Sequence, residues 1–127
     1  MFDHLGVTVK DYAAAKVFYS KSLAPLGAKL LMEIPLEHTG GRGVAGFGVE
    51  QPQYWISEGE AKSQGVHVAF AAKDRKTVDA FYAAAIAAGG TDNGAPGRRP
   101  HYHVNYYGAF VHDPDGNNIE AVCHAAV

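Results

Sequence analysis

Residues Asp3–Ala28, DHLGVTVKDYAAAKVFYSKSLAPLGA, and residues Val66–Thr91, VHVAFAAKDRKTVDAFYAAAIAAGGT, are two versions of one passage. A displacement of 63 residues sets His4 on His67, Lys10 and Asp11 on Lys73 and Asp74, Phe18 and Tyr19 on Phe81 and Tyr82, and Gly27 on Gly90. No gap is needed. In a chain of 127 residues such an offset means two modules, each about half the protein. The boundaries it predicts are module one over about 1–58, a short polar linker over 59–64, and module two over about 65–127.

Each passage opens with a β-rich run beside a histidine, Phe2–Val9 and Val66–Ala72. A helix follows, with Asp11 or Asp74 as N-cap, its carboxylate accepting free N–H groups of the first turn. In the second helix Val78, Phe81, Tyr82, Ala85 and Ile86 are spaced as one buried stripe, and Ala15, Phe18, Tyr19, Ser22 and Leu23 repeat it in the first. Gly27 and Gly89–Gly90 end the helices. Strands are expected next at Lys29–Ile34, Val44–Val49 and Gln53–Ser57, then at His101–His112 and Asn117–Cys123 after a Thr91–Pro100 loop. Asp113-Pro114-Asp115-Gly116 is a tight-turn signal between the last two. The pattern is βαβββ twice, an α+β fold.

Composition narrows the functional classes. The chain is 47% apolar and 19% charged, enough for one real core. Eleven basic against thirteen acidic residues leave a net charge of −2, so no polybasic footprint for nucleic acid or a membrane surface exists. The lone Cys123 forms no internal disulfide and fits a reducing, cytoplasmic compartment, as does the absence of a long apolar run near Asp3. Gly40-Gly41-Arg42-Gly43 lacks the lysine and following Ser or Thr of a phosphate loop.

The paired modules, with FDHLGVTVKD opening the first, GVHVAFAAKD opening the second and DPDGNNIEAV closing it, resemble the vicinal oxygen chelate superfamily: glyoxalase I, bleomycin and fosfomycin resistance proteins, and extradiol dioxygenases. The resemblance covers essentially the whole chain. It implies that the modules curl into an open, glyoxalase-like cup of mixed sheet with the site inside, often completed across a homodimer in short members. It also implies metal ligands on the first and last strands of each module, which here fall on His4, His67 and Glu120. Glu120 stands in an otherwise apolar run, Ile119–Val122, where an inward carboxylate is costly unless paired or metal-bound. Two imidazoles and a carboxylate suit Fe, Mn, Zn or Ni.

The fourth family position departs from the pattern: Trp55 or Ile56 stands opposite Glu120, depending on the turn gap, and Glu58 matches only without a gap. This weakens a true glyoxalase assignment. Around the metal set, His101, His103 and Tyr107 are expected as acid, base or oxyanion donor, with strand alternation placing both histidines on one face. Arg99, beside Arg98, is a candidate clamp for an anionic substrate. Trp55 and Phe47, with Tyr54 and Phe110, are expected to line an aromatic cup. Cys123, three residues past Glu120, is expected on the opposite face, buried and inert, and His38, His112 and His124 in solvent. The resulting expectation is a divalent-metal-dependent lyase, isomerase or ring-opening dioxygenase for a small oxygen-rich metabolite. The alternative is a non-catalytic drug- or metabolite-binding protein of the bleomycin-resistance type.

Overall fold

A computed structural model describes residues 1–60 and 65–127. Most of the expected linker, residues 61–64, lies outside the described residues. Module one runs β1 (Leu5–Val9), α1 (Tyr12–Ser22), β2 (Lys29–Glu33), β3 (Val44–Gly48) and β4 (Tyr54–Glu58). Module two runs β5 (His67–Ala71), α2 (Arg75–Ala87), the two-residue strands β6 (Thr91–Asp92) and β7 (Gly97–Arg98), then β8 (Tyr107–His112) and β9 (Asn118–Cys123). Each module makes its own mixed sheet, ordered β1-β4-β3-β2 and β5-β9-β8-β6, with β7 also pairing β8. The fold is α+β, and neither sheet closes into a barrel.

Both helices start where capping chemistry requires. Asp11 accepts from the Ala14 N–H at 3.0 Å, and Asp74 from the Thr77 N–H at 2.7 Å. The stripe of α1 is buried as expected. That of α2 is rotated: Thr77, Val78, Phe81 and Ala85 are buried, whereas Ile86 is exposed and the Tyr82 hydroxyl reaches out to Asp92. Gly89 takes positive φ, 103°, where the chain leaves α2, whereas α1 ends earlier, at Leu23, and Gly27, at 82°, closes the 3-10 turn Ala24–Leu26 that follows it.

One face of each sheet packs on the helices. Val7, Val9, Ala45, Phe47, Tyr54 and Ile56 supply the first sheet's share, and Ala109, Val111, Ile119 and Ala121 the second's. The modules are joined through Asp113, which is 4% exposed in the β8–β9 turn. Its Oδ1 accepts from the Asp115 and Asn117 N–H groups, and its Oδ2 from the Asn117 side chain and, at 2.5 Å, from the Tyr19 hydroxyl of α1. Burial, reinforced by that carboxylate, pushes the Tyr19 hydroxyl well above the usual phenol range.

The strand expected over His101–His112 begins only at Tyr107. Residues Arg99–Tyr106 close instead into turns, with Tyr102 N and His103 N donating to Arg99 O and Tyr106 N donating to His103 O.

Candidate active site on the open face of the second sheet

Register decides which side chains share a face. Ala69 of β5 lies opposite Glu120 of β9, and Glu120 opposite Phe110 of β8. His67, Ala69, Glu120, Gly108 and Phe110 therefore stand on the face turned away from the helices. Glu120 is only 2% exposed there. One of its oxygens lies 3.1 Å from His67 Nε2; the other accepts a hydrogen bond from the Tyr106 hydroxyl. Burial, then the bond to Glu120, raises the Tyr106 hydroxyl far above its ordinary range, so it stays protonated and donates. Gly108 makes this fit, since a Cβ there would stand 3.1 Å from the Tyr106 ring and 3.2 Å from the Glu120 carboxylate.

Of the two adjacent tyrosines, Tyr106 meets Glu120 and the expected Tyr107 does not. Tyr107 is on the helix side of β8: its hydroxyl donates to Asp79 of α2 at 2.7 Å, and the Arg75 guanidinium lies over its ring. His101 and His103 lie before β8, outside any strand, so alternation does not place them on a common sheet face. His101 stacks on Tyr102, and His103 Nδ1 accepts from the Asn105 N–H, with the His124 ring between it and Tyr106. Neither touches Glu120. Arg99 does reach the open face, over the Phe110 ring.

In the first sheet the register resolves the position equivalent to Glu120. Gly6 pairs with Trp55 as Ala69 pairs with Glu120, and Gly6 and Ala69 are 63 residues apart, the repeat offset. Trp55 holds the fourth position; its indole crosses Gly46, where a Cβ would stand 3.0 Å from two ring carbons. Ile56 is fully buried on the other face, and Glu58 accepts from the Gly43 N–H within its own module. Phe47 is likewise on the helix side, 1% exposed against Tyr19. It does not line the open face. It lines instead a largely apolar cavity of about 310 Å³ with Leu23, Leu26, Tyr54 and Phe70, whose rim carries His4. Cys123 is buried on that helix side, as expected.

His4 stands apart from the His67–Glu120 pair. It precedes β1, whose first ladder bond runs from Leu5 N to Gln53 O, and its Nδ1 contacts Asp3 at 2.6 Å. Among the described residues no three His, Cys, Asp or Glu side chains of one chain gather tightly enough to hold a metal ion. The pair itself fits one: two ligands on a cation with bonds of about 2.0–2.2 Å stand about 3 Å apart, and 3.1 Å is observed. Glu120 has no Lys or Arg partner among the described residues; its partners are the His67 imidazole and the Tyr106 hydroxyl.

Comparison with known proteins agrees with this architecture. The family model described as glyoxalase/bleomycin resistance protein/dioxygenase superfamily matches residues 1–121. A glyoxalase/bleomycin resistance protein from Albidiferax ferrireducens T118 is 31% identical, with a TM-score of 0.74 over 97% of this chain and 98% of that one. A glyoxalase I mutant from Zea mays matches at 22% identity and TM-score 0.73, covering 95% of this chain and 46% of that one. A mutant of the fosfomycin resistance protein FosX of Listeria monocytogenes, solved with Mn(II) and 1S,2S-dihydroxypropylphosphonic acid, matches at 17% and 0.70, over 95% and 87%. The last two show likeness of fold alone. A search of curated proteins finds no match.

Proposed function

The chain belongs to the glyoxalase/bleomycin resistance protein/dioxygenase superfamily, and from that membership we propose a divalent-metal-dependent enzyme for a small oxygen-rich metabolite, at a site built by two copies of the chain. The observation that carries this reading is the buried Glu120 carboxylate with His67 on one side and Tyr106 on the other. His67 and Glu120 of one chain would hold the metal together with His4 of a second. A bound divalent cation supplies Lewis-acid polarisation of substrate oxygens. Tyr106 fixes the Glu120 carboxylate, and the exposed His101 and His103 carry protons at the rim. Lyase, isomerase and ring-opening dioxygenase chemistry all suit this donor set, and FosX binding Mn(II) supports a divalent cation.

Metal titration of the purified protein tests the reading. One divalent ion per chain is expected, lost in His4→Ala, His67→Ala and Glu120→Ala alike. In an equal mixture of His4→Ala and Glu120→Ala chains, each unable to bind alone, the mixed dimer should regain one ion, which is about one ion for every two dimers after random exchange of subunits. Failure of wild type to bind any of Fe(II), Mn(II), Zn(II) or Ni(II) would overturn the reading.

The second reading, a binding protein without catalysis, draws support from the aromatic cavity, which neither His67 nor Glu120 lines. Calorimetric binding of aromatic compounds that is unchanged by chelator and weakened by Phe47→Ala would favour it.

A further inference from the structure

Arg99, expected from the sequence as an anion clamp, is the one of the two adjacent arginines that reaches the Glu120 face. The Arg99 guanidinium lies 5.5 Å from the centre of the Phe110 ring, and Phe110 is the strand partner of Glu120. Arg99 is half-buried, and one Nη2–H donates to Ala95 O at 2.9 Å, leaving most of its five N–H donors uncommitted. Two glycines keep its berth open. A Cβ at Gly94 would stand 3.2 Å from Nη2, and one at Gly97 3.1 Å from Nη1. Gly94, at φ +144°, meets the backbone requirement as well.

The Arg99 N–H donates to Tyr106 O at 2.8 Å, so one turn seats both the cation and the hydroxyl that holds Glu120. Among the described residues no carboxylate lies within 4.0 Å of this guanidinium. Arg98 differs: it is exposed and directed to Val104 O.

We propose that Arg99 is a specificity-determining residue that binds the carboxylate of the substrate. The molecule taken at the His67–Glu120 centre is then a small carboxylate-bearing compound, its anionic group set apart from its metal-facing oxygens by about the span of the Phe110 ring. This rests on the function proposed above. A planar guanidinium fork matches a carboxylate bidentately, and stacking on Phe110 holds that fork in place before the ligand arrives. A chain of net charge −2 offers anions no general attraction, so the selection is local.

Calorimetric titration of the metal-loaded protein with catechol and with 3,4-dihydroxybenzoate tests this, because the probes share vicinal oxygens and differ by one carboxylate. The carboxylate form is expected to bind about tenfold to a hundredfold tighter. Arg99→Met, which keeps an apolar stem over Phe110, should erase the preference and leave catechol affinity unchanged. Arg99→Lys should restore part of it. Equal affinities in wild type, or a preference that survives in Arg99→Met, would overturn the proposal. If the protein takes up no metal, the metal reading fails by itself and Arg99 is judged on the metal-free protein with benzoate. Benzoate binding lost in Arg99→Met then supports the carboxylate site; benzoate binding that is absent, or indifferent to Arg99, ends it.

Discussion

Glu120 concentrates the physics of the site in one side chain. A carboxylate at 2% exposure requires hydrogen bonds or a cation, and it has Tyr106 on one oxygen and His67 near the other. Tyr106→Phe leaves that oxygen buried without a donor, an expected loss of about 1–3 kcal/mol in urea unfolding. Tyr107→Phe removes only a bond to Asp79 at the surface and should cost less. The reverse order would mean that Tyr106 does not hold Glu120. Gly46 makes the matching point in the first sheet, since a Cβ there would stand 2.8 Å from Pro52 and 3.0 Å from Trp55. Gly46→Ala should destabilise by about 1–3 kcal/mol through overpacking, and Trp55 emission should shift as its ring is displaced.

Elements show which parts of the sequence could be read and which could not. Helix starts were legible because an N-cap is local chemistry: Asp11 and Asp74 each bond within three residues. The ligand set His4, His67 and Glu120 came from the family resemblance, supported by the duplication and by one charge in an apolar run, and within one chain the structure brings together only His67 and Glu120. The choice between Tyr106 and Tyr107 was not legible, because facing depends on the register of β8 against β9, which sets Phe110 opposite Glu120 and Tyr107 opposite Cys123. Trp55 and Ile56 stayed ambiguous for the same reason, since a turn length fixes the register. The caps also carry a pH signature. Hydrogen bonds from the Thr77 side chain and backbone hold the Asp74 carboxyl below its ordinary range. Its contribution is thus complete above the free-carboxyl pKa of 3.8 and disappears as pH falls through the lower folded value. Asp74→Ala should lower the melting temperature at pH 7, and the gap from wild type should narrow steadily below pH 4. A gap independent of pH would show that the effect is not the cap.

At the scale of the molecule, the first strand of each module, β1 and β5, is an edge strand of its sheet. β1 pairs only with β4 and β5 only with β9 among the described strands, and these edges begin beside His4 and at His67, respectively. An exposed edge is a template for another strand unless something blocks it, and neither edge carries a proline or a lysine within its five residues. These edges and the separation of His4 from Glu120 have one common remedy, a second copy that covers the edge and brings its own histidine. Two 13.5 kDa chains should therefore sediment together, with a melting temperature that rises with concentration. Thr8 offers a clean way to test the edge, being exposed on β1, turned away from the helices and outside every ligand position. Thr8→Lys places a charge on that edge, as natural sheets do to prevent pairing. It should shift the dimer towards monomer and keep the helical signal. Metal affinity should fall although His4, His67 and Glu120 are all intact. A Thr8→Lys monomer that still binds metal as wild type does would place the whole centre inside one chain and remove the need for a partner.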